Sequence, residues 1–341
     1  MPRIGLMVPI AEGLTRQESM DLVRRAEELG FDSAWYGESW GYDAFTTLAQ
    51  VAGVTSRIKL GTLIATVFSR TPAMMAQSAA SLDVISDGRL ILGLGTSGPA
   101  VVSNWHGQTW RQPTRRTREY VEIVRLALAG ERVDYEGELF KLKGFRLRNA
   151  PLRGSVPIMI ASLGPRSVEQ TGEIADGWLP IFPSVQLLQG GRALLARGAS
   201  HSGRIMEDFE IAPSILTAVS DDDPQGARNL ARAHVAFYVG GMGTFYADLV
   251  AKQGFPEEAA RIALEWSKPG RDGRSAAAAA VTDEMLDAMT LVGDRSHVLN
   301  KLEAYADAGV TLPIMMFPFG SHKQLITETL EALGTAATKR V

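Results

Sequence analysis

The chain has 341 residues, 45% hydrophobic and 21% charged, with a formal net charge of −3 and no cysteine. That length and apolar content can bury a large core without disulfide or metal staples. The weakly negative balance gives no electrostatic case for nucleic acid. The missing cysteine excludes disulfides, thiolate nucleophiles and Cys-ligated metals, and it fits a reducing, cytoplasmic setting.

Along the chain, strand-like and helix-like runs alternate. Ile4 to Val8 reads as a buried strand. The short apolar start followed by Glu12 and Arg16 does not read as a signal peptide, and no run of about 20 apolar residues predicts a membrane span. Gln17 to Leu29 carries Met20, Leu22, Val23 and Ala26 at helical spacing and is closed by Gly30. A strand is expected over Phe31–Gly37, a helix over Ala44–Val54 and a third strand over Ile58–Ala65. Thr71 caps a helix that starts on Pro72 and runs to Ile85. Asp87-Gly88 turns into strand four, Leu90 to Gly95, and a helix follows over Thr117–Leu128. Val133 to Leu147 alternates, with Gly137 and Gly144 at turns, and reads as a surface hairpin. Strand five is Pro157–Ala161, a helix covers Ser167–Ala175, strand six is Gly177–Ile181 and strand seven is Phe209–Val219. Residues 227–289 are more helical than one βα unit needs and read as an elaborated insertion. Within it, Ala276 to Ala280 fits a loop or a helix start equally. Strand eight is Leu312–Phe317, with a last helix over His322–Leu333. Eight strands at βα spacing, with no G-x-G-x-x-G after the first, predict an α/β chain folded as a (β/α)8 TIM barrel. One such domain over residues 1–341 is expected.

In a barrel of this kind the site is built at the C-terminal ends of the strands. After strand two, Glu38-Ser39 places a carboxylate there, either as an acid–base group or as a structural ion partner. After strand four, the run Gly93-Leu94-Gly95-Thr96-Ser97-Gly98-Pro99 lets backbone approach a ligand, or is a plain turn. Asn104-Trp105-His106-Gly107 follows, with two rings and an amide suited to a flat heterocycle; Trp105 would serve equally as a loop anchor. After strand five, Ser162-Leu163-Gly164 with Arg166 and Ser167 opens a helix whose amides and guanidinium suit a phosphate; the alternative is a helix simply started by Pro165. The five histidines have no metal-ligand spacing, so no metal is expected. His234 and Tyr238 share a helix face, as a site pair or as packing.

Several of these segments resemble the luciferase-like flavin enzymes. They are Gly61 to Thr66 with Ser69 to Ala73, Ser86 to Leu90 running to Gly95, Arg118 to Glu122, Ala161 to Gly164, Ala175 to Trp178, Val292-Gly293, and Ala308 to Val310. They fall in the family's order over nearly the whole chain. The run Gly95 to Pro99 with Asn104 to Gly107 resembles the branch that uses the deazaflavin coenzyme F420, to which methylene-tetrahydromethanopterin reductase belongs. The resemblance implies hydride transfer between C5 of that cofactor and a small organic substrate. An FMN-dependent two-component monooxygenase and a non-catalytic flavin-binding protein are the alternatives. It further implies cofactor contacts from Ser39, Leu63, Ile64 and Thr66 and from the strand-four and strand-five loops, with Glu38 and His106 as catalytic candidates. A cis peptide is implied between Leu63 and Ile64, at a bulge supporting the ring. A homodimer formed through Ala44–Val54 and Ala73–Ile85 is implied as well. Two departures stand out. Ser39 replaces a histidine common in relatives after strand two. Gly98 or Pro99 stands where sugar-phosphate dehydrogenases of the branch have a glutamate, which argues against a sugar-phosphate substrate.

Overall fold

The computed structural model describes residues 3–10 and 13–337. The order begins β1 (Gly5–Met7), α1 (Arg16–Glu28), β2 (Ser33–Tyr36), α2 (Ala44–Val54), β3 (Lys59–Thr62), β4 (Ala65–Thr66), α3 (Pro72–Ile85) and β5 (Leu90–Gly95). A π-helical turn (Val101–Trp105), α4 (Pro113–Leu128), the hairpin β6 (Val133–Glu136) and β7 (Lys141–Phe145), β8 (Ile158–Ala161), α5 (Pro165–Ile174) and β9 (Gly177–Trp178) follow. Then come α6 (Val185–Ser202), β10 (Glu210–Ile211), β11 (Ser214–Val219), α7 (Pro224–Ala236), a second π-helical turn (Phe237–Gly241), α8 (Thr244–Ala251) and α9 (Pro256–Trp266). The order ends with α10 (Gly270–Ala279), α11 (Asp283–Met289), β12 (Thr290–Gly293), α12 (Arg295–Asp307), β13 (Ile314–Met316) and α13 (Lys323–Ala337).

The chain is α/β and divides into two compact units: Met1–Phe31, Ile181–Gly190 and Ala212–Val341 form the first, Asp32–Pro180 and Gly191–Ile211 the second. In the first, the strands run in the order β1-β13-β11-β12, all parallel. In the second, the order is β10-β9-β8-β5-β3-β2, again parallel, with β4 also pairing β5. The hairpin β6–β7 is a separate antiparallel pair. Buried Val, Leu, Ile and Ala line the strands, as expected of parallel sheets covered by helices.

Local chemistry fixes the helix starts. Thr15 and Glu18 form a reciprocal capping box on α1. Thr71 caps α3 with Pro72 in its first turn, as expected from the sequence. Other expectations need correction. Residues 209–219 form two strands, β10 in the second unit and β11 in the first, because Ala212-Pro213 interrupts them. The helix expected from Thr117 already begins at Pro113. Helix α6 and strand β12 were not anticipated, and the alanine run 276–280 lies mostly in α10.

Candidate active site

The sequence-selected site residues all fall in the second unit, and strand register explains why their loops gather. Tyr36 pairs with Thr62, Thr66 with Gly95, and Gly95 with Ala161. The segments that follow β2, β3, β5 and β8 therefore leave one edge of one parallel sheet, at its C-terminal ends.

At the centre of that edge the third strand is broken by design of its sequence. It pairs with β5 at Gly61↔Ile91 and resumes at Ala65↔Leu94, so four steps on one side face three on the other. The extra residue makes a bulge. The buried Thr62 hydroxyl fills the gap in the ladder: it donates to Gly93 O at 2.7 Å and accepts from Gly93 N–H at 2.8 Å. Only glycines leave room for the bulge. A Cβ at Gly93 would sit 1.9 Å from Thr62 O, and one at Gly37 would sit 2.0 Å from Leu63 O. The Leu63–Ile64 peptide is cis, as the resemblance implied. Ile64 packs against Gly95, where an added Cβ would lie 3.2 Å from Ile64 Cγ1. Leu63 and Ile64 are half-buried although the strands beside them are buried, so the bulge presents an apolar surface at the edge.

Glu38 is committed within the protein. Its N–H donates to Ile64 O, Oε1 accepts from Ala44 N–H at 3.2 Å, and Oε2 accepts from Arg70 at 2.6 Å. Arg70 also reaches Asp43 at 2.6 Å, and its guanidinium lies over the Phe45 ring. Of the two roles open to Glu38 in the sequence, the geometry matches the ion partner. Its carboxylate anchors Arg70 and the start of α2.

The other polar side chains divide similarly. Thr66 is buried, its hydroxyl accepting from Phe68 N–H. Ser162 turns inward to Thr171 at 2.8 Å, while its carbonyl accepts from Trp178 Nε1. Ser167 donates back to Gly164 O. Helix α5 thus starts at Gly164 without a capping side chain, and exposed Arg166 makes no ion pair among the described residues. After β5, Thr96, Ser97 and Gly98 are half-buried, with Ser97 at a left-handed φ of 57°. Asn104, Trp105 and Gly107 are exposed around the end of the first π-helical turn. His106 Nε2 is buried without a hydrogen-bond partner among the described residues. Among the described residues no cluster of His, Cys, Asp or Glu is arranged to hold a metal.

Sequence reasoning missed the roles of Arg70 and Thr62; it placed Gly37 and Gly93 in the loops of interest but not as the residues that make room for the bulge. The available signal was glycine at three strand positions, 61, 93 and 95, where β-branched residues would otherwise be expected.

The structure defines an α/β protein whose candidate ligand edge is the C-terminal end of a parallel sheet. The luciferase-like monooxygenase family model matches residues 4–312, and the chain belongs to that family. It is 36% identical, over 95% of its length and 96% of the other's, to a Mycobacterium tuberculosis protein whose name places it among coenzyme F420-dependent oxidoreductases. It is 31% identical to 5,10-methylenetetrahydromethanopterin reductase of Archaeoglobus fulgidus, over 89% and 90% of the two chains. Its fold matches the coenzyme F420-dependent tetrahydromethanopterin reductase of Methanopyrus kandleri with a TM-score of 0.83 at 25% identity, covering 97% of each chain.

Proposed function

We propose that the chain is a coenzyme F420-dependent oxidoreductase, folded as one (β/α)8 barrel domain with a helical elaboration at 227–289 and acting as a cytoplasmic homodimer on a small organic substrate. The observation that carries this reading is full-length identity of 31–36% to proteins named for F420 or for methylenetetrahydromethanopterin reduction.

The residues present fit such a cofactor. The Leu63–Ile64 bulge and Gly95 form a surface that an added Cβ would crowd, which suits a flat ring laid against backbone. The uncapped start of α5, with Leu163, Gly164, Arg166 and Ser167, offers amide dipoles and one guanidinium to a phosphate. When bound, F420 would exchange a hydride with the substrate at C5 of its deazaflavin ring. The chain's part is to orient and to handle protons. Trp105, with Asn104 and Gly107 beside it, is placed to cover a ring. Thr96, Ser97 and Gly98 offer polar and backbone contacts. His106, with its orphaned Nε2, is the proposed proton-carrying group. Ser39 is the cofactor contact at the β2 end, where Glu38 holds Arg70, and Thr66 holds the turn after β4.

The test is a side-by-side fluorescence titration of purified protein with F420 and FMN. Saturable F420 binding at least about tenfold tighter than FMN, a gap of about 1.4 kcal/mol, is the expected result. Tighter FMN binding would transfer the assignment to the flavin monooxygenase alternative. Binding of neither would remove the cofactor from the proposal.

A further inference from the structure

The first unit contains a second arrangement that the cofactor edge does not use. His234, near the end of α7, is buried to 1% exposure. Its Nδ1 accepts the backbone N–H of Phe319 at 3.1 Å. A nitrogen that accepts a hydrogen bond carries no proton, so the neutral imidazole bears its proton on Nε2. Burial depresses the imidazole to about 3, which keeps it neutral at physiological pH. The Nε2–H donor is buried and has no acceptor among the described residues.

Aromatic rings surround it. Phe319 stacks on the imidazole at 3.9 Å between centroids and Tyr238 at 5.1 Å, while Phe182 stands edge-on at 6.3 Å, near the long limit of ring contacts. Two backbone departures fall on the same cluster. Phe182 is a bulky residue at a left-handed φ of 47°. Tyr238 lies in the π-helical turn Phe237–Gly241. Phe319 follows β13 at the C-terminal edge of this unit's sheet and is 55% exposed, so it is the solvent-side wall over His234.

A buried donor left unpaired is costly, and polar groups of this kind are ordinarily satisfied. We propose that this aromatic cluster is a binding site for a neutral, flat small molecule bearing a carbonyl-type oxygen, which accepts the His234 Nε2–H while Phe319 yields to admit it. The rings that touch His234 carry no charge, so an anionic or cationic ligand finds no counter-ion there. The site stands without the cofactor assignment.

Acetophenone and ethylbenzene differ by that oxygen and serve as probes in NMR titrations of the whole protein. Wild type is expected to bind acetophenone about tenfold tighter than ethylbenzene, and His234→Phe to bring the two within about twofold. In 15N-labelled wild type the proton is expected on Nε2, with a resonance that moves on adding acetophenone and not on adding ethylbenzene. Equal affinities, no acetophenone binding, a preference that survives His234→Phe, or a proton found on Nδ1 would each overturn the site. The wild-type measurements decide the matter even if the variant does not fold. An F420 titration on the same samples separates the two proposals. Lost oxygen preference with intact F420 binding rejects only this site, and the reverse rejects only the cofactor assignment.

Discussion

Replacing Thr62 with valine isolates the interaction that holds the bulge. Valine keeps the shape and branching of threonine but turns the hydroxyl into a methyl. The hydroxyl makes two contacts with one residue, donating to Gly93 O at 2.7 Å and accepting from Gly93 N–H at 2.8 Å. Both backbone groups lie beside a fully buried side chain, so water cannot replace it. Leaving two buried backbone groups unsatisfied at about 1–3 kcal/mol each puts the cost of Thr62→Val at about 2–6 kcal/mol. Thr62→Ser retains the hydroxyl and loses only a methyl, a cost of about 1 kcal/mol. Urea unfolding followed by circular dichroism measures both. F420 titration should show Thr62→Val weakened as well, because the bulge proposed to lie against the ring is no longer pinned. A Thr62→Val protein no less stable than Thr62→Ser would refute the claim that this hydroxyl replaces the missing ladder bonds.

Arg166→Ala should weaken F420 binding by about tenfold or more, the loss of one charge-assisted contact, while leaving the melting temperature unchanged, since the exposed side chain makes no ion pair among the described residues; unchanged affinity would leave only the amides as the anion contact. Met74, Val84 and Ile85 are 49%, 45% and 55% exposed on α3, an apolar face consistent with the proposed dimer. Sedimentation should give a dimer at micromolar concentration and a monomer for Met74→Asp combined with Ile85→Asp; a wild-type monomer would exclude the assembly. For His234, the folded imidazole is depressed to about 3 from 6.5, so the unfolded chain takes up the proton first as pH falls. Its contribution is complete above pH 6.5 and is lost as pH falls toward 3, by about 2–3 kcal/mol at about pH 4.5. Urea titrations from pH 7 to pH 4.5 should therefore show a shallower acid loss in His234→Phe than in wild type, and parallel curves would contradict the neutral buried imidazole.

Much of the strand order was legible because buried parallel strands read as short apolar runs between glycine and proline punctuation. The loops gathered at the C-terminal edge followed from the strand ends themselves. What stayed hidden was glycine acting as a packing device instead of a breaker. Helix α6 contains Gly190, Gly191 and Gly198, which lower helix propensity and obscure the element. A Cβ at Gly191 would meet the Trp178 ring at 2.3 Å, and one at Gly198 would meet Glu169 O at 1.8 Å. Those glycines let the helix lie directly against its neighbours, a reason no local pattern contains. Strand β12 was hidden differently: Thr290 follows α11 with no turn residue between them. The split of the third strand depends on register with β5, a nonlocal fact whose sequence trace is only the spacing of Thr62 and Gly93.

The roles of the polar residues at the candidate ligand edge follow from the same division between side chain and backbone. Glu38 binds Arg70, Thr66 accepts from Phe68, Ser162 meets Thr171 and Ser167 donates to Gly164. Each of these side chains is spent on fixing a loop. The surfaces left for a ligand at the bulge and at the α5 start are then mostly backbone, with the half-buried Leu63 and Ile64, the glycine-ended strand β5, and the uncapped first turn of α5 with its exposed Arg166. Recognition built this way depends on where the chain runs more than on which functional group a side chain carries. It explains why a carboxylate at a strand end suggested acid–base chemistry in the sequence while its geometry is that of an anchor. It also places tight steric limits on Gly37 and Gly93, where an added methyl would meet backbone.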